Sequence, residues 1–370
     1  MLIVDAHQDL AWNMLSFGRD YTRSVAETRR IEAGGLPPKV NGDALLGWPE
    51  YQKGCVALVF ASLFATPARL CVGPWEHALC YADSIQARRL YRSQLDAYKR
   101  LVNDHPEMFE LVTSRSDLER VIAGWQYCGE DSGPEDAAEH TTSPVGLVVS
   151  MEGADCIRDP GELEEWWHHG VRLIGPAWSG NQYCGGTREP GPLSAKGFAL
   201  LEHMGNLGFG LDLTHMDEQA TLQALDIYPG ALLASHSNAQ ALLKDYSGNR
   251  HLSDRVIDGI LERDGMIGIV PFNQFLKPGW LIGDRREEVH LDQVVAQIDY
   301  ICQKAGDARH VGLGTDFDGG FGWQSAPMEI ESIADLLKLA PLLMEKGYST
   351  DEIVSVLGEN WIRLLKRILA

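Results

Sequence analysis

Five residues of this chain have the side chains that a two-metal hydrolytic site needs, and each stands at or just after the end of a short apolar run. They are His7, Asp9, Glu152, His215 and His236. Imidazoles and carboxylates are ligands that zinc and similar divalent ions accept in proteins. In a barrel of parallel strands the strand ends meet at one rim, so residues that are distant in sequence become neighbours. The pattern therefore predicts a metal site at such a rim.

His7 and Asp9 are two residues apart at the end of a predicted strand. Side chains alternate along a strand, so both would point to the same side and could hold one ion together. Asp5 has the same parity and could orient His7 from behind. The alternative is that Asp5 and Asp9 only cap the segment that follows.

Glu152 ends an apolar run and precedes Gly153, which allows the backbone to turn sharply. A carboxylate at that place is costly to bury unless it is paired or binds a metal. Its two oxygens could bridge two ions that are roughly 3.5–4 Å apart. A single strand-end histidine is more often a hydrogen-bonded structural group, but the equivalent placement of His215, His236 and His7 favours metal ligands.

Asp316 and Asp318 follow the last predicted strand, within a glycine-rich segment. The simpler interpretation is a turn with aspartate caps. The alternative makes Asp316 a proton acceptor close to the metal ions.

The elements that must position these residues alternate between strand and helix. Eight apolar runs predict buried strands: Leu2–Val4, Val56–Ala61, Gly146–Val149, Val171–Ile174, Gly210–Leu213, Ala231–Ala234, Met266–Val270 and Val311–Gly314. Helices are predicted at Glu76–Val102, Leu163–His168, Ser194–Leu207, Glu218–Leu225, Asp254–Arg263 and Leu291–Lys304. This order predicts an α/β fold, a (β/α)8 TIM barrel, with an open doubly wound sheet as the alternative.

We expect residues 1–370 to form one barrel domain. Ser332–Ala370 is predicted to add C-terminal helices on the outside, and a short strand or loop near Phe109–Val112 has no predicted place in the barrel. Gln126–Pro144 is linker-like, since it is rich in Gly, Glu, Asp, Ser and Thr.

Composition excludes several classes of function. A net charge of −20 over 370 residues argues against a nucleic-acid-binding surface. No apolar run approaches the roughly 20 residues of a membrane span, and the amino terminus has no signal-peptide pattern. The seven cysteines are scattered without a C-x-x-C pair, so we expect unpaired thiols, a reducing compartment and a cytoplasmic location.

Taken together, six segments resemble the membrane (renal) dipeptidase family of zinc peptidases, including its soluble bacterial members. They occur in the family's order over nearly the whole chain, which makes the set specific although each segment alone is not. The segments are Asp5-Ala6-His7-Gln8-Asp9-Leu10, Ser150-Met151-Glu152-Gly153, Leu211-Asp212-Leu213-Thr214-His215, Ser235-His236-Ser237, Arg250-His251-Leu252-Ser253-Asp254 and Gly312-Leu313-Gly314-Thr315-Asp316-Phe317-Asp318-Gly319.

The resemblance implies a (β/α)8 barrel of the metal-dependent hydrolase type with two zinc ions. By this likeness His7 and Asp9 would bind one ion, His215 and His236 the other, and Glu152 both. Arg250 would hold the terminal carboxylate of the substrate, for which a planar guanidinium is suited, and Asp316 would act near the nucleophile. Without the resemblance, Arg250 would be an ordinary surface arginine at a helix start. Homodimerisation is a further expectation from the family.

Two positions depart from the family's pattern. Where the family has a histidine that steadies the scissile carbonyl, this chain has Trp178, whose indole can donate one hydrogen bond but cannot become cationic. Asn273 stands where relatives often carry a tyrosine. The metal ligands match the family, whereas the substrate pocket differs from it.

The sequence thus predicts a dinuclear zinc hydrolase, a dipeptidase that cleaves short peptides with a free carboxylate through a metal-bridging hydroxide. One alternative is a related metal-dependent hydrolase that acts on a non-peptide amide or lactone, because Trp178 replaces the pocket histidine. Another is a non-catalytic metal-binding homologue. We expect a small-molecule or dipeptide substrate, and neither nucleic acid nor membrane as a partner.

Overall fold

Eight parallel strands form a closed barrel in the computed structural model, which describes residues 1–125, 142–244 and 246–369. In chain order the strands are β1 (Ile3–Gln8), β2 (Val56–Leu63), β3 (Val145–Glu152), β4 (Val171–Gly175), β5 (Gly210–Asp212), β6 (Leu232–Ala234), β7 (Met266–Ile269) and β8 (Val311–Leu313). Each strand pairs with the next, and β8 pairs with β1. The (β/α)8 prediction is confirmed, and the open sheet is excluded.

Every residue of the eight barrel strands is buried. The inner faces fill the barrel and the outer faces pack against helices, so these strands are nearly continuous apolar runs and do not alternate with polar residues. For this reason all eight strands could be located from the sequence.

Helices surround the barrel and fill its connecting loops. The α-helices are Leu10–Phe17, Val25–Glu32, Pro37–Val40, Trp48–Lys53, Ser84–Asp104, Arg115–Gly124, Leu163–His168, Ala195–Leu207, Glu218–Ile227, Asp254–Glu262, Asn273–Leu276, Leu291–Ala305, Leu339–Lys346, Thr350–Val354 and Asn360–Ile368. Shorter 3-10 turns are Ala68–Leu70, Pro74–Leu79, Pro160–Glu162, Gln240–Leu242, Arg286–Glu288, Trp323–Ser325 and Ile333–Lys338, and Ser355–Glu359 is a π-helical turn.

Additional short strands lie outside the barrel. Thr66–Pro67 pairs with Cys80–Tyr81, and Cys184–Gly186 pairs with Glu189–Leu193. Phe109–Leu111 runs parallel to β3 at its outer side, which places the segment that the sequence left unassigned. The predicted C-terminal helices are confirmed.

One predicted helix begins later than expected. Its pattern started at Glu76, but the helix starts at Ser84, because the Asp83 side chain caps it by accepting from the Gln86 N–H at 2.8 Å. The preceding residues form the Pro74–Leu79 turn and the Cys80–Tyr81 strand. Most of the linker-like segment, 126–141, lies outside the described residues.

The expectation of unpaired cysteines is confirmed for Cys156, Cys184 and Cys302 but wrong for three others. Cys71 and Cys80 form a disulfide, and Cys55 is also disulfide-bonded. The sequence argument for a reducing compartment relied on unpaired thiols and therefore no longer holds. As for spanning elements, none of the helices in the described part of the chain combines the length and apolar character needed to cross a membrane.

Candidate metal centre

The five side chains selected from the sequence lie together at the carboxyl ends of the barrel strands. Nε2 of His7 is 3.5 Å from Oε2 of Glu152 and 3.7 Å from Oδ2 of Asp9. Nε2 of His215 and of His236 are 2.9 and 3.5 Å from Oε1 of Glu152, and 3.1 Å from each other. Oε2 of Glu152 therefore faces His7, whereas Oε1 faces His215 and His236.

These groups form two overlapping sets in which every donor atom is within 4.8 Å of the others. One set is His7, Asp9 and Glu152, and the other is Glu152, His215 and His236. Glu152 is the member that both sets share. All five residues are buried, His236 most completely at 1% exposure.

Two glycines allow the histidine after β6 to reach this place. A Cβ on Gly268 or on Gly314 would lie 1.8 Å from the carbonyl oxygen of Ser235, a distance that no side chain tolerates. Because both glycines lack a Cβ, the Ser235–His236 backbone can pass close to β7 and β8.

The backbone at the site is strained as well as tightly packed. His215 and Asp316 adopt φ values of 67° and 57°, a left-handed region that costs free energy for residues other than glycine. Strain of this kind is concentrated at functional sites, where the surrounding structure holds it in place. Gly153 also has a left-handed φ of 83°, as the turn predicted after Glu152 requires.

Three hydroxyl groups that the sequence analysis missed hold the candidate ligands. Ser62 donates to Asp9, Thr187 is 2.9 Å from Nδ1 of His215, and Ser235 is 2.8 Å from Nδ1 of His236. Ser235 precedes His236 in one of the recognised segments, so it could have been found. Ser62 and Thr187 lie in other parts of the chain and had no signal of their own.

The hydrogen bonds of Ser235 determine the tautomer of His236. The Ser235 hydroxyl donates to the Asp212 carboxylate, so its oxygen must accept from Nδ1–H of His236. Nε2 of His236 is then unprotonated, and its lone pair points towards Glu152 and His215. Outer partners of this kind orient metal-binding histidines.

Burial and neighbouring charges together determine the pKa values of these groups. Burial lowers the pKa of His236 and lowers that of His215 to about 4, the second effect strengthened by nearby Arg250. For His7 burial is outweighed by the Glu152 and Asp9 carboxylates, which raise its pKa well above the usual value. Burial of Glu152 is likewise outweighed by His7, so the pKa of that carboxyl is lowered. The site therefore favours a charged carboxylate at its centre.

Of the four aspartates considered, two face the cluster. Asp9 stands at the start of a helix but its side chain makes no capping hydrogen bond, which excludes the simpler interpretation for that residue. Oδ1 of Asp316 lies 3.9 Å from Nε2 of His7. Burial raises the pKa of the Asp316 carboxyl well above its usual range.

The other two aspartates have structural contacts. Asp5 accepts hydrogen bonds from the Thr315 N–H at 2.7 Å and from Gln8 at 2.6 Å, and so joins β1 to the end of β8. Asp318 pairs with Arg19 at 3.1 Å and accepts from the Leu45 N–H. Neither carboxylate belongs to the groups that converge on Glu152.

Arg250 is buried beside this cluster, at 7% exposure, which excludes an ordinary surface arginine. Its Nη2 donates to the His236 carbonyl at 2.8 Å and its Nη1 to Ser237 Oγ at 3.2 Å. Within the described residues no carboxylate lies within 4.0 Å of its guanidinium, and burial lowers its pKa. A buried guanidinium whose nearest carboxylates, among them Asp316 and Glu152, act on it only from a distance is unusual, and it suits an anionic ligand in direct contact.

Trp178 and Asn273 have different surroundings. The Trp178 ring lies 6.1 Å from the His215 ring and 5.2 Å from that of Phe64, so it borders the cluster. Asn273 is fully buried and donates to the Ala326 carbonyl at 3.2 Å, whereas its Oδ1 has no partner among the described residues. No contact of the described residues joins Asn273 to the five clustered side chains.

The donor set fits divalent metal ions. Nε2 of His7 is buried and has no hydrogen-bond partner among the described residues, although it points at Glu152 and Asp9. Nε2 of His215 and of His236 also converge on the same carboxylate. Three imidazoles and two carboxylates that face one another in this way are suited to zinc or a similar ion.

Comparisons with known proteins show the family to which the chain belongs. The family model described as membrane dipeptidase (peptidase family M19) matches residues 132–369. An uncharacterised protein in the pqqA 5′ region of Klebsiella pneumoniae is 30% identical over 285 residues, which are 74% of this chain and 94% of that protein. Dipeptidase tcpJ of Claviceps purpurea is 25% identical over 289 residues, 74% of this chain but only 59% of that protein.

The fold of a solved metallopeptidase from Rhodobacter sphaeroides is similar, with a TM-score of 0.76 and 22% identity over 100% of this chain and 99% of that one. Because the family model covers more than half of the chain, the chain belongs to the membrane dipeptidase family, peptidase family M19, and is a metal-dependent dipeptidase of that family.

Proposed function

We propose that the enzyme is a dinuclear zinc dipeptidase. His7 and Asp9 would hold one ion, His215 and His236 would hold the other, and Glu152 would be shared between the two sites. The observation that carries this proposal is the position of Glu152, whose Oε2 faces His7 and whose Oε1 faces His215 and His236. A shared carboxylate between two sets of ligands is the arrangement that a two-metal site needs.

Two ions at this place would polarise the amide carbonyl and make water acidic enough to attack it near neutral pH. Asp316 takes the proton of the attacking water on its carboxylate and delivers it to the leaving amine. Its Oδ1 is close enough to His7 to lie beside the reacting atoms. The buried rim excludes bulk water, so the charges at the site act strongly.

Arg250 binds the free carboxylate of the substrate and thereby restricts the enzyme to short peptides. This assignment is supported by the buried guanidinium that lacks an acidic partner among the described residues. A carboxylate would accept its remaining N–H groups, and two parallel hydrogen bonds would fix the orientation of the peptide. The Rhodobacter sphaeroides enzyme was solved with a phosphinate mimic of the dipeptide L-Ala-D-Ala, which is consistent with this proposal.

A second candidate is hydrolysis of a non-peptide amide or a lactone at the same metal centre. It is favoured by Trp178, whose ring borders His215 and has only one hydrogen-bond donor for a substrate carbonyl. Asn273 keeps its place as a proposed substrate-binding residue, on account of its unpartnered Oδ1. The single domain, the homodimer and the cytoplasmic location stay predictions.

Metal analysis and a substrate panel test the proposal together. Purified protein should contain about two zinc-like ions per chain, and zinc-, manganese- or cobalt-loaded enzyme should hydrolyse dipeptides. An active preparation without metal would overturn the mechanism. Hydrolysis of a lactone but of no dipeptide would favour the second candidate, and bound metal without any turnover would indicate a non-catalytic homologue.

A further inference from the structure

The loop that follows β4 carries a short hairpin that reaches the metal centre. Its strands are Cys184–Gly186 and Glu189–Leu193, and Thr187 stands in the turn between them. The Thr187 hydroxyl oxygen lies 2.9 Å from Nδ1 of His215 and 3.5 Å from the carbonyl oxygen of the same residue. One side chain of the hairpin therefore contacts both the ring and the backbone of a candidate metal ligand.

These two contacts favour the form of His215 that a metal ion needs. The hydroxyl has one hydrogen, and when it donates that hydrogen to the His215 carbonyl, its oxygen accepts from Nδ1–H. Nε2, which faces Oε1 of Glu152 at 2.9 Å, is then left with a free lone pair. Outer hydrogen bonds of this kind fix the tautomer and the ring orientation of metal-binding histidines.

The backbone of His215 also needs support. Its φ of 67° lies in the left-handed region, which is costly for a residue with a side chain. The Thr187 hydroxyl contacts the carbonyl and the ring of this residue together, so it restrains backbone and side chain at once. A methyl group in place of the hydroxyl could make neither contact and would leave Nδ1–H without this partner.

The turn that carries Thr187 is fixed from two sides. Its own N–H donates to the Trp178 carbonyl at 3.1 Å, within the loop after β4. On the other side Gly186 forms a backbone bridge with Met216, and the Asn249 side chain donates to the Gly186 carbonyl at 3.0 Å. The hydroxyl is therefore presented to His215 by backbone that is itself held in place.

We propose that Thr187 is a positioning residue of the metal centre, and that its hydroxyl strengthens metal binding by the second set of ligands, Glu152, His215 and His236. No hydrogen bond among the described residues joins this hydroxyl to the first set, which contains His7, so metal binding by that set should not depend on it. The inference rests on the proposed function, because it concerns one of two metal sites.

Metal affinities of paired variants test this assignment. Thr187→Val has the shape of threonine without the hydroxyl, whereas Thr187→Ser keeps the hydroxyl, and zinc binding is measured by competition with a chromophoric chelator. In an Asp9→Ala background, where the second set is complete, Thr187→Val should weaken zinc binding about 10- to 100-fold and Thr187→Ser less than about threefold. In a His236→Ala background, where the first set is complete, neither change should have an effect.

An NMR signal gives a readout that does not depend on affinity. In the zinc-loaded enzyme the proton on Nδ1 of His215, held by Thr187, should give a downfield resonance coupled to a nitrogen-15 ring atom. Thr187→Val should shift or remove this resonance, and Thr187→Ser should keep it. The resonance from Nδ1 of His236, which Ser235 holds, should stay in place. A merely structural role of Thr187 would not change one of these two signals alone.

Arg188→Gln is the matched control on the same turn. The Arg188 side chain is exposed, and its backbone N–H, which donates to Asn249 at 3.0 Å, is kept in the variant. This change should leave the zinc affinity and both resonances as in wild type. Because valine and threonine are similar in size, the melting temperature of metal-free Thr187→Val should stay close to that of wild type.

Two results would overturn the proposal. One is an equal effect of Thr187→Val on zinc binding in both backgrounds, including no effect in either, and the other is an unchanged Nδ1 resonance of His215. Failure of the proposed function is a different result, since wild-type protein would then bind fewer than two zinc ions or hydrolyse no dipeptide. The affinity and NMR measurements do not need turnover, so they decide the role of Thr187 even if no dipeptide is cleaved.

Discussion

Two buried arginines lie at opposite ends of the barrel and differ in what their guanidinium groups contact. Arg172, near the amino end of β4, donates to the carbonyls of Thr113, Trp167 and Val171 and stacks 4.0 Å over the Trp167 ring. Arg250, at the carboxyl end, donates to the His236 carbonyl and to the Ser237 hydroxyl, and it borders a cavity. Burial lowers the pKa of both.

Neither arginine has a carboxylate within 4.0 Å among the described residues, but the consequences differ. Arg172 contacts three backbone carbonyls and an aromatic face, so it serves the fold. Arg250 also lies over an aromatic ring, that of Phe275 at 5.2 Å, but it stands beside a cavity and the candidate metal ligands. The comparison shows that the surroundings of a buried arginine, rather than its burial alone, distinguish a functional group from a structural one.

The largest effect is expected from Glu152→Gln. An amide cannot offer two anionic oxygens to two ions, so kcat/KM for dipeptides should fall by about 10³-fold or more, and the metal content should fall below two ions per chain. Steady-state kinetics and metal analysis measure both.

Glu32→Gln is the matched control, since Glu32 is also buried but pairs with Arg19 at 2.9 Å. It should lower the free energy of unfolding by roughly 3 kcal/mol and leave the metal content unchanged. Full metal content in Glu152→Gln would contradict the bridging role.

A smaller effect is expected from changing each arginine to lysine. Arg250→Lys replaces a planar fork by a point charge, so KM for dipeptides should rise about 10- to 100-fold with the melting temperature nearly unchanged. Arg172→Lys should leave KM unchanged and lower the melting temperature, because three carbonyls lose their donors. If both variants change KM, or if both change only the melting temperature, the distinction between a structural arginine and a functional one is wrong.

The sequence was sufficient to locate the strands and the five clustered side chains. Buried parallel strands are apolar along most of their length, so a polar residue at a strand end, such as Glu152 at the end of β3, stands out against that background. The sharp turn at Gly153 could also be predicted, because a glycine comes directly after the last residue of that apolar run.

Features that depend on tertiary contacts could not be predicted in this way. Ser62 lies within a buried strand and Thr187 in a loop, and only the folded barrel brings them to Asp9 and His215. The helix that begins at Ser84 shows the same limit, because the cap at Asp83 overrides a helical pattern that extends further back. The Cys71–Cys80 disulfide likewise depends on a pairing of short strands that has no sequence signal.

The smallest effect concerns the turn that Arg172 supports at the amino end of the barrel. Asp117, in the first turn of the helix Arg115–Gly124, accepts hydrogen bonds from Thr113, Ser114 and Arg120. Partial burial opposes the ionised form, but these hydrogen bonds outweigh it and lower the pKa of Asp117 to about 2. The lowered pKa means that the carboxylate stabilises the fold above the unfolded-state pKa of 3.8, and that this contribution is lost as the pH falls from there towards 2.

Asp117→Asn should therefore lower the free energy of unfolding at pH 7 by about 1 kcal/mol, a modest value because the group is only partly buried and its partner Arg120 is exposed, so solvent screens the charge. Urea unfolding at pH 7 and at pH 3 measures the difference between variant and wild type, which should shrink at the lower pH as the unfolded wild-type chain takes up a proton. Glu119→Gln, which removes an exposed carboxylate from the same helix, is the control and should change stability by less. If the difference in the free energy of unfolding between variant and wild type is the same at both pH values, the Asp117 charge does not stabilise this end of the barrel. A changed KM for dipeptides in Asp117→Asn would contradict the division between a structural and a functional end.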